Sequence, residues 1–417
     1  MPKKHAASSK LAEPSAKVSA RGVARLQARH PWVYRSDITE ENNVPPGAVV
    51  RVLDQRGKFL GTALYSSSSQ IAIRMISHGS VADLPALVAE RIRAAIAYRT
   101  NLVANTDAYR LVFSEADFLP GLIVDRYNDV ISVQILTQAM DAAPVRDAIL
   151  QTLCDELQPA GIVQRVDARI RDLEQLPPRL SGLLWGEKTS TVIHMNGVNM
   201  NGVRFHYDGL EGQKTGAFLD QRENYAAAAQ YAHGEALDAF CYQGGFALHL
   251  AFHPAAKCSS VTGVDSSRPA LEMAEKNAAL NAKPNATPNG RELEWIEANA
   301  FDLLRDYSAA NRRYDTIVLD PSAFAKTKRD LEKALGGYKE LNLRALKMLR
   351  PGGILVTCSC SFHVSATDFL KVVADAAQDA HKDLRVLENR GAARDHPMLL
   401  NVPETSYLKC LILSVSN

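Results

Sequence analysis

The stretch ALDAFCYQGGFALHLAF (236–252) contains the transition that decides the fold of this chain. Its beginning, ALDAFC, is an apolar run typical of a buried strand, and its end, ALHLAF, is typical of a buried helix. The Gly-Gly pair between them lets the backbone approach a ligand and exposes the first amides of the helix, although such pairs also occur in ordinary turns. The stretch predicts a strand, a turn and a helix that together border a ligand site.

The same alternation continues from this stretch towards the C-terminus. Further apolar, strand-like runs are SVTGVD (260–265), LEWIEA (293–298), YDTIVLD (314–320) and GGILVTCS (352–359). Helix-like segments separate several of them, among them PALEMAEKNAALN (269–281) and LEKALGGYKELNLRALKML (331–349). Apolar strands that alternate with helices predict an α/β fold with a doubly wound, mostly parallel sheet. Right-handed crossovers then place the carboxyl ends of the strands along one edge, where ligands bind.

Chemically suitable residues stand at three of the strand ends. Gly244 and Gly245 follow the first strand, Asp265 closes the second, and Asp320 closes YDTIVLD. A carboxylate in the place of Asp265 suits the two hydroxyls of a ribose, although it could instead cap the helix that starts near Pro269. The shared order of these features favours an adenosine-type cofactor. The chain lacks the full GxGxxG pattern and lacks a P-loop, which argues against a nicotinamide dinucleotide and against nucleotide triphosphate hydrolysis.

The first half of the chain has a different pattern. The run 45–77 alternates short strands with turns, which predicts a small β-domain of about 60 residues. A mixed segment follows, with helix-like runs at 86–103 and 141–157 and short strands between them. Before the β-domain, residues 1–29 carry seven Lys and Arg residues against one acid, a local charge of +6 that attracts phosphate. A solvated tail is an equally good interpretation of the residues before Lys17.

Composition and cysteine usage limit the function classes. The 417 residues are 46% hydrophobic and 23% charged, which is typical of a soluble protein of two or three domains. No apolar run approaches the ~20 residues that cross a bilayer. The six cysteines include no spaced CxxC sets, so the sequence predicts neither a zinc site nor a disulfide framework, and no metal. A reducing cytoplasm fits this cysteine usage best.

The chain resembles the bacterial ribosomal large-subunit RNA methyltransferase I family over nearly its whole length from Arg25. The motifs that carry the resemblance are RHPWVY (29–34), EADFLPGLIVDRY (115–127), GQKTGAFLDQREN (212–224), LDAFCYQGGF (237–246), GVD (263–265), LDPSAF (319–324), GGYKELN (336–342), GGILVTCSCS (352–361), and DHP with PETSYLK (395–409). Their combination is specific, although each piece alone is not. The resemblance implies transfer of a methyl group from S-adenosylmethionine to carbon 5 of a cytosine in 23S ribosomal RNA.

The resemblance also implies domain boundaries and partners. We expect a basic disordered arm at 1–17, a PUA-like RNA-binding domain at 18–79, a central α/β domain at 80–190 and a Rossmann-like class I methyltransferase domain at 191–417. The expected partner is 23S ribosomal RNA before the large subunit is fully assembled. No membrane contact is expected, and a homodimer is compatible with the sequence.

Two positions depart from the family pattern. The family usually reads Asp-Pro-Pro where this chain has Ser322 as the third residue, and it often has Asp where this chain has Asn299. Asn still accepts a hydrogen bond from an adenine amine through its carbonyl oxygen, but it loses the charge. We therefore expect modestly weaker cofactor binding.

The expected reaction needs a cysteine thiolate, because carbon 5 of cytosine is a poor nucleophile. Addition of a thiolate at carbon 6 gives carbon 5 the electron density to accept a methyl group. Cys358 and Cys360 are both candidates, and in a strand they share a face. Cys360 lies nearer the carboxyl end of the strand, and the family's cysteine also matches Cys360, so we assign it as the nucleophile and Cys358 as a core neighbour. Both could instead be small buried hydrophobic residues.

The strand ends and the resemblance together give the remaining site residues. Asp320 is expected to hold the flipped base through its amine and ring nitrogen 3, or to contact the cofactor alone. The expected cofactor-binding residues are Gln221, Phe240, Tyr242, Gly244, Asp265, Ser266, Asn299, Ala300 and Asp320. The expected RNA contacts are Arg29, Arg35, Lys214, Arg222 and Lys339. Lys214 and Arg222 could instead form interdomain ion pairs, and Lys339 could lie on a solvated helix face.

Two other functions fit the sequence. The run DPSAF (320–324) is also similar to the loop of enzymes that methylate a base nitrogen without a covalent intermediate. The departures at Ser322 and Asn299 also fit a catalytically decayed RNA-binding factor for ribosome assembly. Activity that survives the loss of Cys360 would favour the first alternative, and failure to bind S-adenosylmethionine would favour the second.

Overall fold

The computed structural model describes residues 13–42, 44–197, 202–211, 216–282, 292–325 and 327–416. Three units follow one another along the chain: a β-rich N-terminal unit, a central α/β unit and a C-terminal α/β unit. Within these ranges, none of the helices combines the length and the apolar character needed to cross a membrane.

The N-terminal unit is a six-stranded sheet with one helix. Its elements are β1 (Ser15–Val18), α1 (Ala20–Gln27), β2 (Trp32–Tyr34), β3 (Ile38–Asn42), β4 (Val49–Leu53), β5 (Phe59–Tyr65) and β6 (Ile71–Ser77). The strands lie in the order β2-β6-β5-β4-β1-β3. Ser19 caps α1, because its hydroxyl accepts a hydrogen bond from Gly22 N at 3.2 Å.

The predicted boundary of the basic arm at residue 17 is wrong. Residues 1–12 lie outside the described residues, but Ser15–Val18 forms β1, which pairs in parallel with β4 and antiparallel with β3. Ala16 and Val18 are fully buried, because alternate residues of this strand point into the core. The alternation of buried and partly exposed residues extends over only four positions, which is too short to distinguish this strand from a basic tail in the sequence.

The central unit is a five-stranded sheet with helices packed on it. Its elements are α2 (Leu84–Leu102), β7 (Ala108–Phe113), β8 (Leu122–Tyr127), β9 (Val130–Ile135), α3 (Ala143–Leu157), β10 (Gly161–Gln164), α4 (Ala168–Glu174) and β11 (Gly182–Gly186). The strands lie in the order β11-β10-β9-β8-β7. Val88 and Ile92 of α2 and Ile149 of α3 are fully buried in one core with Val124 of β8.

A hairpin joins the central unit to the C-terminal one. Its strands are β12 (Ser190–Met195) and β13 (Val203–Asp208), which pair antiparallel. Tyr207 of β13 stacks on Tyr127 of β8, with ring centroids 3.7 Å apart. Both rings belong to a cluster that continues into the C-terminal unit, so the two units share a continuous core.

The C-terminal unit confirms the predicted doubly wound α/β fold. Its elements are α5 (Arg222–Tyr231), β14 (His233–Asp238), α6 (Gly245–Phe252), β15 (Lys257–Asp265), α7 (Arg268–Asn281), β16 (Glu292–Glu297), α8 (Ala300–Ala309), β17 (Tyr314–Leu319), α9 (Leu331–Met348), β18 (Leu349–Ser359), α10 (Ala366–Asp379), β19 (Asp383–Arg390) and β20 (Lys409–Ser416). The strand order is β16-β15-β14-β17-β18-β20-β19. Strands β14 to β18 are parallel, and β20 runs antiparallel to both of its neighbours, β18 and β19. All five predicted strands, β14 to β18, therefore end at one edge of the sheet.

Both faces of this sheet are covered at its central strands, which explains why β17 and β18 contain consecutive apolar residues. Ile317 and Leu355 belong to the core on one face, and their neighbours Val318 and Val356 belong to the core on the other. Successive side chains of a strand point to opposite faces, so burial of both faces favours apolar residues at consecutive positions. The polar residues that follow each strand are consequently the first that meet solvent or a ligand.

Candidate functional site

A cavity of about 660 Å³ lies at the carboxyl edge of the C-terminal sheet. The predicted residues that line it are Gln221, Phe240, Tyr242, Asp265, Ser266, Asn299, Ala300, Asp320 and Cys360. They come from the ends of β14, β15, β16, β17 and β18 and from the segment before α5. The structure thus brings together nine residues that are widely separated in the sequence.

Gly244 is the one predicted cofactor-binding residue that does not line this cavity. It precedes α6 with φ +90°, in the left-handed region that favours glycine, and an added Cβ would lie 2.9 Å from a side-chain carbon of Leu248. Its neighbour Gly245 lines the cavity instead. Gly244 therefore makes the turn, and the backbone at Gly245 faces the site.

Asp265 accepts two backbone hydrogen bonds at the end of β15. Its carboxylate oxygens accept from Tyr242 N and from Ser267 N, both at 2.9 Å. The alternative that Asp265 caps the following helix is wrong, because the cap of α7 is Ser267, whose hydroxyl accepts from Ala270 N. Asp265 instead ties the turn after β14 to the turn after β15, with its carboxylate at the cavity wall.

The next strand end presents an amide and an apolar surface. Asn299 caps α8, and its Oδ1 accepts a hydrogen bond from Phe301 N at 2.9 Å. The rings of Phe240 and Phe301 meet edge to face with centroids 6.4 Å apart, and both line the cavity beside Ala300. This part of the wall suits a flat heteroaromatic ring that needs both apolar contact and one hydrogen-bond acceptor.

The cavity is acidic. Asp220, Asp265 and Asp320 line it, and no Lys or Arg stands among its described lining residues. Behind this wall Asp238 is fully buried at the end of β14, where its Oδ2 accepts from Ala247 N at 3.0 Å. Burial raises the pKa of Asp238 to about 8, and the charges of Asp320 and Asp265 act in the same direction. Asp238 lies within the motif LDAFCYQGGF, but its position in the sequence predicts no role for it.

These groups fit S-adenosylmethionine. Its adenine suits the wall of Phe240, Phe301 and Asn299, and its ribose hydroxyls suit the carboxylate of Asp265. Its sulfonium group is cationic, so a cavity lined by carboxylates and by no described basic residue complements its charge.

The two candidate cysteines occupy different environments. Cys358 is fully buried in β18 opposite Cys410 of β20, and burial raises the pKa of the Cys358 thiol. Cys360 follows the end of β18 at Ser359, lines the cavity, and has its Sγ 3.9 Å from Pro321 O. The predicted shared face does not hold, because the strand ends between the two cysteines. Cys241 also lines the cavity, but it is buried, and burial raises its thiol pKa strongly.

Ser361 fixes the loop that carries Asp320 against the segment that carries Cys360. Its hydroxyl accepts hydrogen bonds from Phe324 N at 3.0 Å and from Ala325 N at 3.2 Å, and lies 3.0 Å from Tyr338 OH. All of the described loop residues from Asp320 to Phe324 line the cavity. One buried serine thus ties the Asp320 loop to the Cys360 segment, in addition to the pairing of β17 with β18.

A buried cation lies next to this segment. Lys409 Nζ donates to Ser361 O at 2.7 Å and to Tyr407 O at 2.9 Å. Burial lowers the pKa of Lys409 to about 8, and the neighbouring Cys360 opposes this shift. Tyr407 lines the cavity, and its hydroxyl donates to Asp220 Oδ2 at 2.6 Å. Both residues lie within the motif PETSYLK, but the sequence predicts no role for either, because nothing in it shows that β20 lies beside β18.

The predicted RNA contacts do not form one surface. Arg35 is half-buried, and its guanidinium donates to Tyr65 OH and to the backbone oxygen of Ser66 within the N-terminal unit. Lys339 forms an ion pair with Asp379 at 2.8 Å on the outer surface of α9. Arg29 is exposed and follows α1 in the N-terminal unit. Lys214 lies outside the described residues.

The structure contradicts the prediction that Arg222 contacts RNA, and the ion pairs of Arg222 lie within the C-terminal unit rather than between domains. Its side chain is buried, 3.4 Å from Asp395 Oδ1 and 3.6 Å from Glu223. Asp395 also accepts from Arg110 N and, through its backbone oxygen, from Arg99, both in the central unit. Burial raises the pKa of Asp395, but the charges of His396 and Arg222 outweigh burial and hold this pKa well below its usual range. Asp395 therefore connects the two units, and Arg222 pairs with it from within the C-terminal unit.

Family models match two parts of the chain. The PUA-like domain model matches residues 16–78, and the S-adenosylmethionine-dependent methyltransferase model matches residues 179–413. Ribosomal RNA large subunit methyltransferase I of Shewanella denitrificans is 38% identical over 396 residues, which cover 94% of this chain and 96% of that protein. The protein of the same name from Photobacterium profundum is 37% identical over 391 residues, 92% of this chain and 95% of its own length.

Solved structures agree with the fold. A protein from Streptococcus mutans described as a SAM-dependent methyltransferase has a TM-score of 0.78 at 19% identity, and the match covers 96% of this chain and 100% of that chain. SMU.776, solved in complex with SAH, matches with the same TM-score, identity and coverage. At this identity both structures show the fold alone.

Proposed function

The chain belongs to the ribosomal RNA large subunit methyltransferase I family, and from this premise we propose that it forms 5-methylcytosine in 23S ribosomal RNA through a covalent adduct at Cys360. The family assignment makes it an S-adenosylmethionine-dependent methyltransferase of ribosomal RNA. The observation that carries the cytosine-5 chemistry is the presence of Cys360 and Asp320 in one cavity with the predicted cofactor residues. Action before subunit assembly, a homodimer and a cytoplasmic location remain predictions.

Bound S-adenosylmethionine supplies the methyl group. Phe240, Phe301 and Asn299 would hold its adenine, and Asp265 its ribose. Gln221 and Tyr242 would complete the wall around it, since both line the same cavity. These residues orient the donor and keep water away from the reacting carbon, which are the main contributions of a protein to a group transfer.

The target cytosine must leave its stack to reach this cavity. The Cys360 thiolate then adds to carbon 6 and forms a carbon–sulfur bond, and carbon 5 gains the electron density that it needs to take the methyl group. A base removes the proton on carbon 5, and the electron pair of that bond restores the double bond between carbons 5 and 6 as the thiolate leaves. Only an accessible cysteine at the cavity serves this cycle, which favours Cys360 over the core residue Cys358 and over Cys241, which lines the cavity but is buried.

Asp320 is assigned to the base. Its carboxylate can accept hydrogen bonds from the exocyclic amine and from a protonated ring nitrogen 3, and this pairing favours addition at carbon 6 because it withdraws electrons from the ring. Asp320 follows β17, and the loop behind it is fixed by Ser361 on the Cys360 segment. The Ser361 hydrogen bonds and the pairing of β17 with β18 therefore support the relative position of the group that binds the base and the nucleophile.

Lys409 is assigned a positioning role next to the nucleophile. A buried ammonium close to a thiol favours its thiolate. Because burial lowers the pKa of Lys409 only to about 8, the ammonium remains mainly charged at neutral pH. Its two hydrogen bonds to carbonyl oxygens, one of them that of Ser361, hold it beside the Cys360 segment.

The test is the modification state of ribosomal RNA in a strain that lacks this protein. Bisulfite and mass mapping are expected to show one 23S cytosine that loses its 5-methyl group, and wild-type protein is expected to restore it. Cys360→Ala is expected to restore nothing, whereas Cys358→Ala is expected to restore modification if it folds. Full restoration by Cys360→Ala would reject the covalent scheme and favour methylation of a base nitrogen. Failure of the purified chain to bind S-adenosylmethionine would favour the decayed factor.

A further inference from the structure

A second cavity, of about 430 Å³, lies where the N-terminal unit, the central unit and the C-terminal segment meet. Its charged or titratable lining residues are Arg29, His30, His78, Arg91 and Glu115, and its aromatic residue is Phe118. Nothing in the methyl-transfer scheme uses these residues. We call this cavity the junction pocket.

Phe118 is held in a conformation that does not suit it. It ends a 3-10 helix with φ +58°, in the left-handed region, and 60% of it is exposed. The turn is fixed from several sides, because Phe118 N donates to Glu115 O and Leu119 N donates to Ser114 O, both at 3.0 Å. A large aromatic residue that is both exposed and strained contributes little to folding, so its place points to a binding role.

Arg91 fixes the position of this ring. Its guanidinium donates to Phe118 O and to Ile76 O, the latter at the end of β6 in the N-terminal unit. The same guanidinium lies 6.0 Å from the centroid of the Phe118 ring. A ring that is already ordered by a cation loses less conformational freedom when it stacks on a ligand.

The charge around the ring suits a phosphate. Arg29 and His78 are exposed, and within the described ranges no ion pair involves the Arg29 side chain. Glu115, the one acid among the described lining residues, accepts from Trp32 Nε1 at 3.0 Å and from Ser114 Oγ at 2.5 Å. The exposed part of the pocket rim is therefore basic.

One short segment connects the two cavities. Leu399 and Asn401 line the junction pocket, and Tyr407 and Leu408 line the cavity that contains Cys360. Asn401 also donates to the backbone oxygen of Arg29. Six residues of extended chain span at most about 20 Å, so a single RNA strand could occupy both cavities.

We propose that the junction pocket binds an unpaired nucleotide of the RNA substrate that lies outside the target position. Its base stacks on Phe118, and its phosphate meets Arg29. The inference rests on the proposed RNA substrate and is independent of the cytosine-5 chemistry. Stacking on an aromatic side chain is sequence-tolerant, so the pocket contributes affinity and register rather than base identity.

The experiment measures RNA binding by the full chain without S-adenosylmethionine. The probes are a fluorescein-labelled single-stranded RNA of mixed sequence and a 23S transcript, followed by fluorescence anisotropy and filter binding. Phe118→Ala and Phe118→Leu are each expected to weaken binding about tenfold, while Phe118→Trp is expected to stay within about twofold of wild type. The matched control is Leu180→Ala, because Leu180 is 91% exposed and lines neither cavity. Thermal unfolding and cofactor binding of every variant verify that it is folded.

Arg29→Gln gives an independent readout. It is expected to lower the slope of log affinity against log salt by about one, because one phosphate contact is lost. Wild-type affinity in Phe118→Ala, or in Phe118→Leu, overturns the stacking site, and an unchanged salt slope in Arg29→Gln overturns the phosphate contact. A wild-type chain that binds neither RNA contradicts the RNA substrate itself. If the chain forms no 5-methylcytosine but its RNA affinity still depends on Phe118, the result contradicts only the proposed reaction.

Discussion

The cavity at the carboxyl edge of the C-terminal sheet and the junction pocket differ in charge and in their place in the fold. The cavity at the carboxyl edge of the C-terminal sheet is lined by three aspartates and by no described basic residue, and buried strands fix its walls. The junction pocket has basic residues at its rim and lies between units rather than within one. A cationic methyl donor suits the first cavity, and a polyanionic strand suits the second.

The difference shows how the protein separates two tasks that conflict electrostatically. Carboxylates next to the reacting base would repel phosphate, and basic residues there would repel a sulfonium group. With the charges in separate places, each site can bind its own ligand. Variants in the acidic cavity are therefore expected to change chemistry and cofactor binding and to leave RNA affinity nearly unchanged.

The largest expected effect is that of Asp320→Asn. Loss of the carboxylate that holds the base is expected to lower the methyl-transfer rate about 100-fold or more, whereas RNA affinity changes by less than about threefold. Single-turnover kinetics with saturating RNA and cofactor, together with calorimetry for S-adenosylmethionine, separate these quantities. If cofactor affinity falls and the single-turnover rate does not, Asp320 contacts the cofactor alone.

Asp238→Asn tests the buried charge behind the acidic cavity. Because burial raises the pKa of Asp238 to about 8, the folded protein keeps a proton that the unfolded chain loses above about pH 4. The free energy of unfolding of the wild type should therefore fall as the pH rises from about 4 to about 8. The variant should lack this pH-dependent loss, so the stability of the variant relative to wild type should increase by on the order of 2 kcal/mol from pH 6 to pH 8.

Urea unfolding at a series of pH values measures this difference. Asp306→Asn is the control, because Asp306 is exposed in α8 and pairs only with Arg305 among the described residues. A constant difference between Asp238→Asn and wild type across the pH range would show that Asp238 is ionised in the folded protein.

Lys409→Met tests the buried cation. Removal of the ammonium is expected to move the pH profile of Cys360 alkylation upwards by about one pH unit, whereas Lys409→Arg keeps the charge and most of the profile. Peptide-resolved mass spectrometry after iodoacetamide treatment isolates Cys360 from the other cysteines. Lys339→Met is the control on the solvated surface of α9. A profile in Lys409→Met that coincides with wild type removes Lys409 from the proposed scheme.

The smallest expected effect is that of Asn299→Asp, which restores the residue that the family often has. A carboxylate still caps α8 and adds charge to the acidic cavity, so S-adenosylmethionine should bind about threefold more tightly. Calorimetry measures the affinity for S-adenosylmethionine. Asn311→Asp, two residues beyond the end of α8, is the matched control. If Asn299→Asp binds S-adenosylmethionine as tightly as wild type or more weakly, residue 299 only caps α8 and adds nothing to cofactor binding through its charge.

The fold of the C-terminal unit could be predicted because its signals are local. Runs such as YDTIVLD and GGILVTCS have consecutive apolar residues rather than an alternating pattern, and this is typical of a strand buried on both faces. β1 could not be recognised in the same way, because a strand of four residues is stabilised by pairing with β3 and β4 rather than by its own sequence. The antiparallel position of β20 between β18 and β19 is likewise a tertiary property.

The candidate site shows the same limit. Asp265 and Asp320 follow strands, so their shared edge follows from the fold. Arg222 gave no such signal, because a basic residue in a polar segment suits RNA as well as an ion pair, and its partner Asp395 comes from a distant part of the sequence. Lys409 gave none either, since its proximity to Cys360 depends on strand order.

The covalent bond itself is the most direct test of the central claim. RNA that carries 5-fluorocytidine at the mapped position is incubated with the full chain and S-adenosylmethionine, and the products are separated under denaturing conditions. Fluorine on carbon 5 cannot leave as a proton does, so a stable protein–RNA adduct is expected, with the RNA attached to the peptide that contains Cys360. The adduct should form with Cys358→Ala and not with Cys360→Ala. Methylation of unmodified RNA without any adduct, or attachment at another residue, would contradict the nucleophilic role of Cys360.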